Sequence, residues 1–164
     1  MKRTKTVIYA ERGIKHKNNK IYCDGLNMWI NPLMPIGTNS KVGNAATFSM
    51  KHGNNTLNIF EMSEKIQKAM KAAGITGIRE SCPMHCKGCY CDYGFFNMPS
   101  VRDGNIIKLI IARLFPDWLE RALDAQIEAD HITQIRIHAS GDFCTMDYIN
   151  VWRNVALKNP GVTF

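Results

Sequence analysis

The sequence lacks a long apolar run, and this absence excludes a membrane protein of the usual helical kind. A membrane span needs about 20 consecutive apolar residues. The longest candidate, residues 106–115, is interrupted by Lys108 and Arg113. The apolar run at residues 7–10 is also too short for the core of a secretory leader. We therefore expect a cytoplasmic protein with no membrane partner.

Cysteine is scarce over most of the chain. Six cysteines among 164 residues are too few for a small secreted scaffold stapled by disulfides. Cys23 and Cys144 stand apart from the others, and each is expected to be a small buried apolar residue. The other four lie between positions 82 and 91. In a reducing compartment such a cluster indicates metal binding or redox chemistry.

Acidic residues are nearly missing from the first 20 positions. Seven Lys or Arg residues stand there against one acid, Glu11, and they account for most of the formal net charge of +7. A basic arm of this kind can contact nucleic acid. No aromatic platform interleaves the charges, however, as stacking on bases would require. We expect a solvated, partly frayed terminus, with nucleic acid as the alternative partner.

Signatures of common catalytic classes are missing as well. We find no hydrolase triad motif, no phosphate-binding glycine loop and no pair of carboxylates in a recognisable motif. The sequence also shows no internal repeat and no low-complexity tract. The cysteine cluster and the residues around it are therefore the candidate site of any catalytic or metal chemistry.

Two sections of different pattern follow one another along the chain. Residues 1–62 are basic and rich in Asn and Gly, and they predict a small β or irregular section. Its β-like runs lie at residues 6–10, 20–23, 26–30 and 47–50. Residues 63–164 mix helical periods with short apolar runs, which predicts an α/β domain. A new apolar run starts at residue 162, so we expect this domain to be incomplete at its C-terminus.

The second section predicts a parallel sheet. Strands are expected at residues 75–80 and 132–139. Helices are expected at residues 63–73, 100–114 and 116–129. A further helix is expected before the stop signal at residues 159–161, with Tyr148, Val151, Trp152 and Val155 on one stripe. A β–α–β order calls for neighbouring parallel strands, and ligands bind at the C-terminal ends of such strands. The cysteine loop and the turn Ser140-Gly141-Asp142 each follow one of these strands. We therefore expect the two loops to lie side by side.

The second predicted strand carries polar residues on one face. Ile135, Ile137 and Ala139 alternate with Arg136, His138 and Ser140 in the sequence. His138 is either a satisfied structural histidine or a ligand contact. Arg136 either binds a carboxylate or phosphate, or anchors Asp142. Asp142 itself either meets a bound amine or caps the helix that follows.

The cysteine loop is the most informative motif. Cys82, Cys86 and Cys89 are spaced C-x3-C-x2-C, so three thiolates can converge on one inorganic centre. Structural zinc takes four ligands, whereas an iron–sulfur cube held by three cysteines keeps one iron open. Cys91 is a possible fourth ligand, and His85 is an alternative ligand for zinc. Iron–sulfur and zinc both stay open at this point.

These elements in this order resemble the radical S-adenosylmethionine (SAM) superfamily. The resemblance implies a partial parallel (βα) barrel-like sheet and a [4Fe–4S] cluster on the three spaced cysteines. It also implies that Ser140, Gly141 and Asp142 meet the methionyl amino group of SAM, with His138 close by. In the superfamily an aromatic residue usually precedes the third cysteine and packs near the adenine. Here Tyr90 follows that cysteine instead.

A second resemblance is narrower. The segments Thr47-Phe-Ser-Met, Cys89-Tyr90 and 136–143, followed by Tyr148 and Trp152, are similar to the phage and plasmid family called gene product 88. If a phage encodes the protein, its compartment is the host cytoplasm. Two function classes follow. One is an iron–sulfur protein of radical SAM type with an undefined substrate. The other is a zinc-stapled, non-catalytic binding module that contacts nucleic acid through the basic N-terminus.

Overall fold

The computed structural model describes residues 3–36, 45–83 and 86–164, so His85 lies outside the described residues. The helices are α1 (Lys5–Glu11), α2 (Glu64–Ala72), α3 (Pro99–Leu114), α4 (Pro116–Asp130) and α5 (Met146–Lys158). The strands are β1 (His16–Lys17), β2 (Lys20–Cys23), β3 (Met28–Ile30), β4 (Ala46–Phe48), β5 (Thr56–Asn58), β6 (Gly77–Arg79) and β7 (Ile135–Ile137). No helix in these described ranges has the length and hydrophobicity that crossing a bilayer requires.

Helix ends in the second half of the chain follow their sequence signals. Pro116 opens α4 as predicted, where its missing N–H costs nothing. Gly74, at a φ of 71°, follows the end of α2. Helix α3 begins at Pro99 rather than after a Ser100 cap. Proline is favoured at the first helical position, and Ser100 therefore lies inside the helix.

The N-terminal segment differs from both expectations. Residues 6–10 belong to helix α1 rather than to a strand, and the segment is packed rather than frayed. Its cations Arg3, Lys5 and Arg12 form ion pairs with acidic residues of α4. These acids are Asp124, Glu128 and Asp130. These three cations therefore dock α1 onto α4, and the prediction of a frayed arm is wrong for this part.

Three small sheets are present in the described part of the chain. Strands β1, β2 and β3 form an antiparallel sheet, and β5 pairs antiparallel with β6. Strand β4 pairs parallel with β7, with Phe48 opposite Ile137. Pairing continues beyond β4, because Met50 N donates to Ser140 O at 2.9 Å. Thr163 adds a parallel bridge at the other edge of β7.

The predicted strand pairing is wrong. Residues 75–80 and 132–139 do not pair in the described sheets, because β6 joins β5 while β7 joins β4. A strand beside β7 must be buried, and the β4 segment meets this need with Phe48 and Met50 fully enclosed. In β6 the burial falls on Ile78 alone. The fold is mixed α/β, and the described residues form no closed barrel.

One hydrophobic core joins both sections of the chain. Phe48 of β4 packs edge-on against Trp152 of α5, with ring centroids 5.4 Å apart. Trp118 and Trp152 are buried. The prediction that Cys23 is buried is confirmed, and burial raises the pKa of its thiol to about 11. Cys144 is half-buried and only partly fits the same expectation.

Candidate functional site

The cysteine loop and the Ser140-Gly141-Asp142 turn meet beside the end of β4. The Ser81 hydroxyl donates to Lys51 O at 2.7 Å and accepts from Asp142 N at 3.1 Å. Cys82 N donates to Gly53 O at 2.9 Å. The prediction that the two loops are neighbours is confirmed. The route differs from the predicted one, because residues 49–53 lie between the loops in place of a direct strand pair.

A cavity of about 260 Å³ opens where the loops meet. Cys82, Cys86 and Cys89 all line it, together with Asp142. Its other lining residues are His52, Gly53, Pro83 and Asp92. All six cysteines of the chain are free thiols. The structure thus brings three sulfur donors, two carboxylates and an imidazole to one cavity.

His52 and its partner Asp92 are residues of the cavity that sequence reasoning missed. The first of them, His52, is central to the site. It is buried, and its Nε2 lies 2.8 Å from Asp92 Oδ1. Donor atoms of His52, Cys89 and Asp92 lie within 4.8 Å of one another, as metal ligands would. The available signal was the position of His52 two residues after Met50. The carboxyl end of a buried strand is where a parallel sheet places its ligands.

The chain Ser140–His52–Asp92 looks like a hydrolase triad, but its chemistry does not fit one. Ser140 Oγ lies 3.3 Å from His52 Nδ1 and also donates to Met50 O at 3.0 Å. Ser140 is 2% exposed, so no substrate carbonyl can reach it. A nucleophile must be accessible and must pass its proton to the base. Ser140 therefore serves to hold His52 and the strand end in place.

Cys91 is adjacent to Cys89 but is buried outside the cavity that the other three thiols line. It is 3% exposed, does not line the cavity, and its Sγ lies 3.9 Å from Ala139 O. Burial, together with the nearby thiol of Cys89, raises the pKa of Cys91, although contacts with Tyr90 and Ser140 oppose this. A raised pKa disfavours the thiolate that a metal needs.

Asp142 and Gly141 have more specific roles than the sequence indicated. Asp142 does not cap α5, because Thr145 Oγ1 accepts from Tyr148 N and performs that task. The Asp142 carboxylate accepts from Phe143 N at 2.7 Å and is exposed at the cavity. Gly141 has a φ of 90°, and a Cβ there would lie 2.9 Å from Ser81 Oγ. Packing between the loops therefore requires this glycine.

His138 lies on the opposite side of the sheet from the expected one. Its φ of 63° breaks the alternation of the strand, and its Nε2 lies 2.7 Å from the Tyr148 hydroxyl. The ring also packs against Phe143, with centroids 4.7 Å apart. Burial lowers the pKa of His138 to about 4, against an opposing effect of Asp142. His138 lines neither of the two cavities described for this site.

Tyr90 separates the cysteine cavity from a second and larger one. Its hydroxyl donates to Ala139 O, and both residues line a cavity of about 670 Å³ between the sheet and α3. Arg136 lines this second cavity too. Within the described residues Arg136 forms no ion pair with Asp142, so it does not anchor that carboxylate.

Comparison with known proteins identifies the family. A family model described as Gene product 88 matches residues 37–164, which include both loops and strands β4 to β7. No curated protein and no solved structure gives a significant match. This match bears out the predicted resemblance to gene product 88. It does not test the resemblance to the radical SAM superfamily, which stays a prediction. The chain belongs to the gene product 88 family.

Proposed function

We propose that this protein is an iron–sulfur protein of radical SAM type, with Cys82, Cys86 and Cys89 as the ligands of a [4Fe–4S] cluster. The observation that carries the proposal is the convergence of these three thiols on one cavity, beside the Asp142 turn. When bound, such a cluster supplies one-electron chemistry that no side chain of the protein offers.

The spread of the thiols supports a cluster over a single ion held by cysteines alone. Zinc–sulfur bonds of about 2.3 Å bring tetrahedral thiolates within about 4 Å of one another. In the described part of the chain, Cys82, Cys86 and Cys89 do not form a group within 4.8 Å. A four-iron cube is larger than one ion and suits thiols that are farther apart. The position of Cys91 outside the cavity supports three cysteine ligands rather than four.

The arrangement of the strands supports the SAM part of the proposal. The cysteine loop follows β6 of another sheet, yet it meets the Ser140-Gly141-Asp142 turn beyond the carboxyl ends of the parallel strands β4 and β7, where ligands of such strands bind. The Asp142 carboxylate can accept from the protonated amino group of SAM. Ser140 holds the turn by donating to Met50 O, and Gly141 allows its close packing against Ser81. Tyr90 directly follows the third cysteine in the sequence.

Metal analysis tests the cluster. Anaerobically reconstituted protein is expected to be brown and to contain about four irons per chain. Cys86→Ala should lose the cluster, whereas Cys91→Ala, the matched control from the same loop, should keep it. A colourless protein with stoichiometric zinc would overturn the proposal, and equal loss in both variants would indicate a four-cysteine site without an open iron.

Calorimetric titration with SAM tests the second part. The reconstituted protein should bind SAM, and Asp142→Asn should weaken this binding without changing the iron content. Asp147→Asn in the first turn of α5 is the control, because that exposed acid lies outside both cavities. Undiminished SAM binding by Asp142→Asn would remove the assigned role of this carboxylate.

Zinc is a second candidate because of the group His52, Cys89 and Asp92, which offers the nitrogen, sulfur and oxygen donors that zinc accepts. The protein would then be a non-catalytic binding module. Any nucleic-acid contact would rest on exposed cations such as Lys17 and Lys20, since Arg12 is engaged by α4. His52→Ala should abolish zinc binding in this case, whereas under the cluster proposal iron content survives that change.

A further inference from the structure

The larger cavity, of about 670 Å³, has an unusual distribution of charge. Three cations from three elements line it: Lys65 of α2, Lys108 of α3 and Arg136 of β7. No acidic residue is among the described residues that line it. In that same part of the chain, none of the three cations forms an ion pair. The cavity is therefore a region of uncompensated positive charge.

The positive charge of Lys108 is unfavourable at its position, because the side chain loses much of its hydration there. It lies in the apolar part of α3, between the buried residues Ile107 and Leu109, and its Nζ is 5.3 Å from the centre of the Phe48 ring. Burial lowers the pKa of Lys108 to about 8, which leaves it mostly charged at neutral pH. The half-buried ammonium has no carboxylate partner in the described part of the chain, and its contact with the Phe48 ring replaces only part of the lost hydration. An anion in the cavity would relieve this cost.

Aromatic side chains form the other wall of the cavity. Tyr90, Phe95 and Phe96 line it, and Tyr90 and Phe95 are more than 60% exposed. The Phe96 ring lies edge-on to both of them, with centroids 5.8 Å and 5.9 Å away. Exposed rings of this kind are a stacking surface for a flat ligand. Thr47 and Ser100 add hydroxyl groups that can hydrogen-bond to it.

We propose that this cavity binds a small molecule that combines a phosphate with a planar aromatic ring, as a nucleoside monophosphate does. The phosphate faces Lys108 and Arg136, and the ring stacks on the Tyr90–Phe95–Phe96 wall. The volume is within the usual range for small-molecule sites, about 300–1,000 Å³. The site is distinct from that proposed for SAM, whose sulfonium and amino groups are cationic and would be repelled here. It does not depend on the identity of the metal.

Calorimetry with the full chain tests the proposal, and AMP, adenosine and inorganic phosphate are the probes. AMP should bind at least about tenfold more tightly than either half-molecule, and added salt should weaken its binding. Lys108→Met preserves helix propensity and volume, and should weaken AMP binding about tenfold or more. Lys68→Met, on the exposed part of α2, should leave binding unchanged.

Further variants keep the outcome decisive. Arg136 is exposed, so Arg136→Gln should fold and should also weaken AMP binding even if Lys108→Met is unstable. Asp142→Asn and Cys86→Ala should bind AMP normally, which separates failure of this proposal from failure of the SAM or cluster proposal. An absence of AMP binding to the unaltered protein, or equal affinity in Lys108→Met, Arg136→Gln and Lys68→Met, would overturn the proposal.

Discussion

Gly141 occupies a position where a side chain has neither space nor a favourable backbone conformation. Its φ is 90°, and an added Cβ would lie 2.9 Å from Ser81 Oγ and 3.1 Å from Met50 O. Gly141→Ala should therefore lower the free energy of unfolding by about 1–3 kcal/mol. Urea denaturation measures this change.

Gly104 provides the matched control for that variant. It lies inside α3, and apart from its own helical backbone no atom of the described residues is within 4 Å of its added Cβ. Gly104→Ala should raise the free energy of unfolding by about 0.5–1 kcal/mol, because alanine loses less backbone entropy in a helix. Equal stability of Gly141→Ala and the unaltered protein would contradict the close packing of the two loops.

His138 should make stability depend on pH. Burial lowers its pKa to about 4 in the folded protein, against about 6.5 when unfolded. The unfolded chain therefore binds the proton more readily, and stability falls as pH drops from about 6.5 to about 4. After allowance for partial exposure, we expect a loss of about 2 kcal/mol over this range.

The variant His138→Asn isolates this effect. Asparagine tolerates the positive φ of this position but does not titrate. The slope of unfolding free energy against pH should be shallower in the variant, while the other histidines contribute equally to both proteins. Identical slopes would show that burial does not hold His138 neutral in the folded protein.

Residues of the candidate site were predictable only where the signal is local. Cys82, Cys86 and Cys89 could be predicted because their spacing within one loop is itself a ligand pattern. His52 and Asp92 do not, because they are 40 positions apart and meet only after β4 and the cysteine loop pack together. The left-handed backbone conformation of His138 could not be predicted either. It turns the side chain away from the face of the strand that simple alternation assigns to it.

Among the elements, α1 is held to α4 by charge. Arg12 donates from Nε to Asp124 at 2.7 Å and from Nη2 to Glu128 at 2.6 Å, and all three side chains are less than a third exposed. Although burial opposes it, hydrogen bonds from Arg12 and Asn159 hold the pKa of Asp124 below its usual value. This stabilisation is present at neutral pH and is lost as acid protonates the carboxyl group.

Arg12→Ala should cost about 1–2 kcal/mol of unfolding free energy at neutral pH and low salt. The difference from the unaltered protein should shrink in acid or in high salt. Lys20→Ala is the control, because Lys20 is exposed and has no ion pair in the described part of the chain. Chemical denaturation at two salt concentrations measures both variants. A salt-independent loss would assign the effect to packing of the arginine stem instead.

Helices were easier to predict than strands for a physical reason. The longer helices repeat their period several times, and prolines such as Pro116 mark their starts. Strands β4, β6 and β7 have three residues each, too few to display which neighbour they pair with. Pairing was decided by burial of Phe48 and Met50, which depends on helices much later in the chain.

Across the whole molecule, the two sections defined by sequence pattern depend on each other. Strand β7 has β4 as its parallel neighbour, and α1 covers α4. A protein of residues 63–164 alone should therefore lack a cooperative thermal transition, because β7 and α4 lose their partners. Circular dichroism during heating tests this expectation. A sharp transition near that of the full chain would show that the second section folds by itself.

The path from β4 to the cysteine loop makes a closed excursion. Residues 51 and 81 meet again through the hydrogen bonds from Ser81 to Lys51 O, and between them run β5, α2 and β6. Inside this pair of anchors, the pairing of β5 with β6 and the hydrogen bond from Glu80 N to Asn55 O hold the two arms of the excursion together. Evolution can therefore vary the exposed positions of this segment while the three cysteines keep their place, whereas His52 at the cavity and the core residues Ile66, Met70 and Ile78 are constrained.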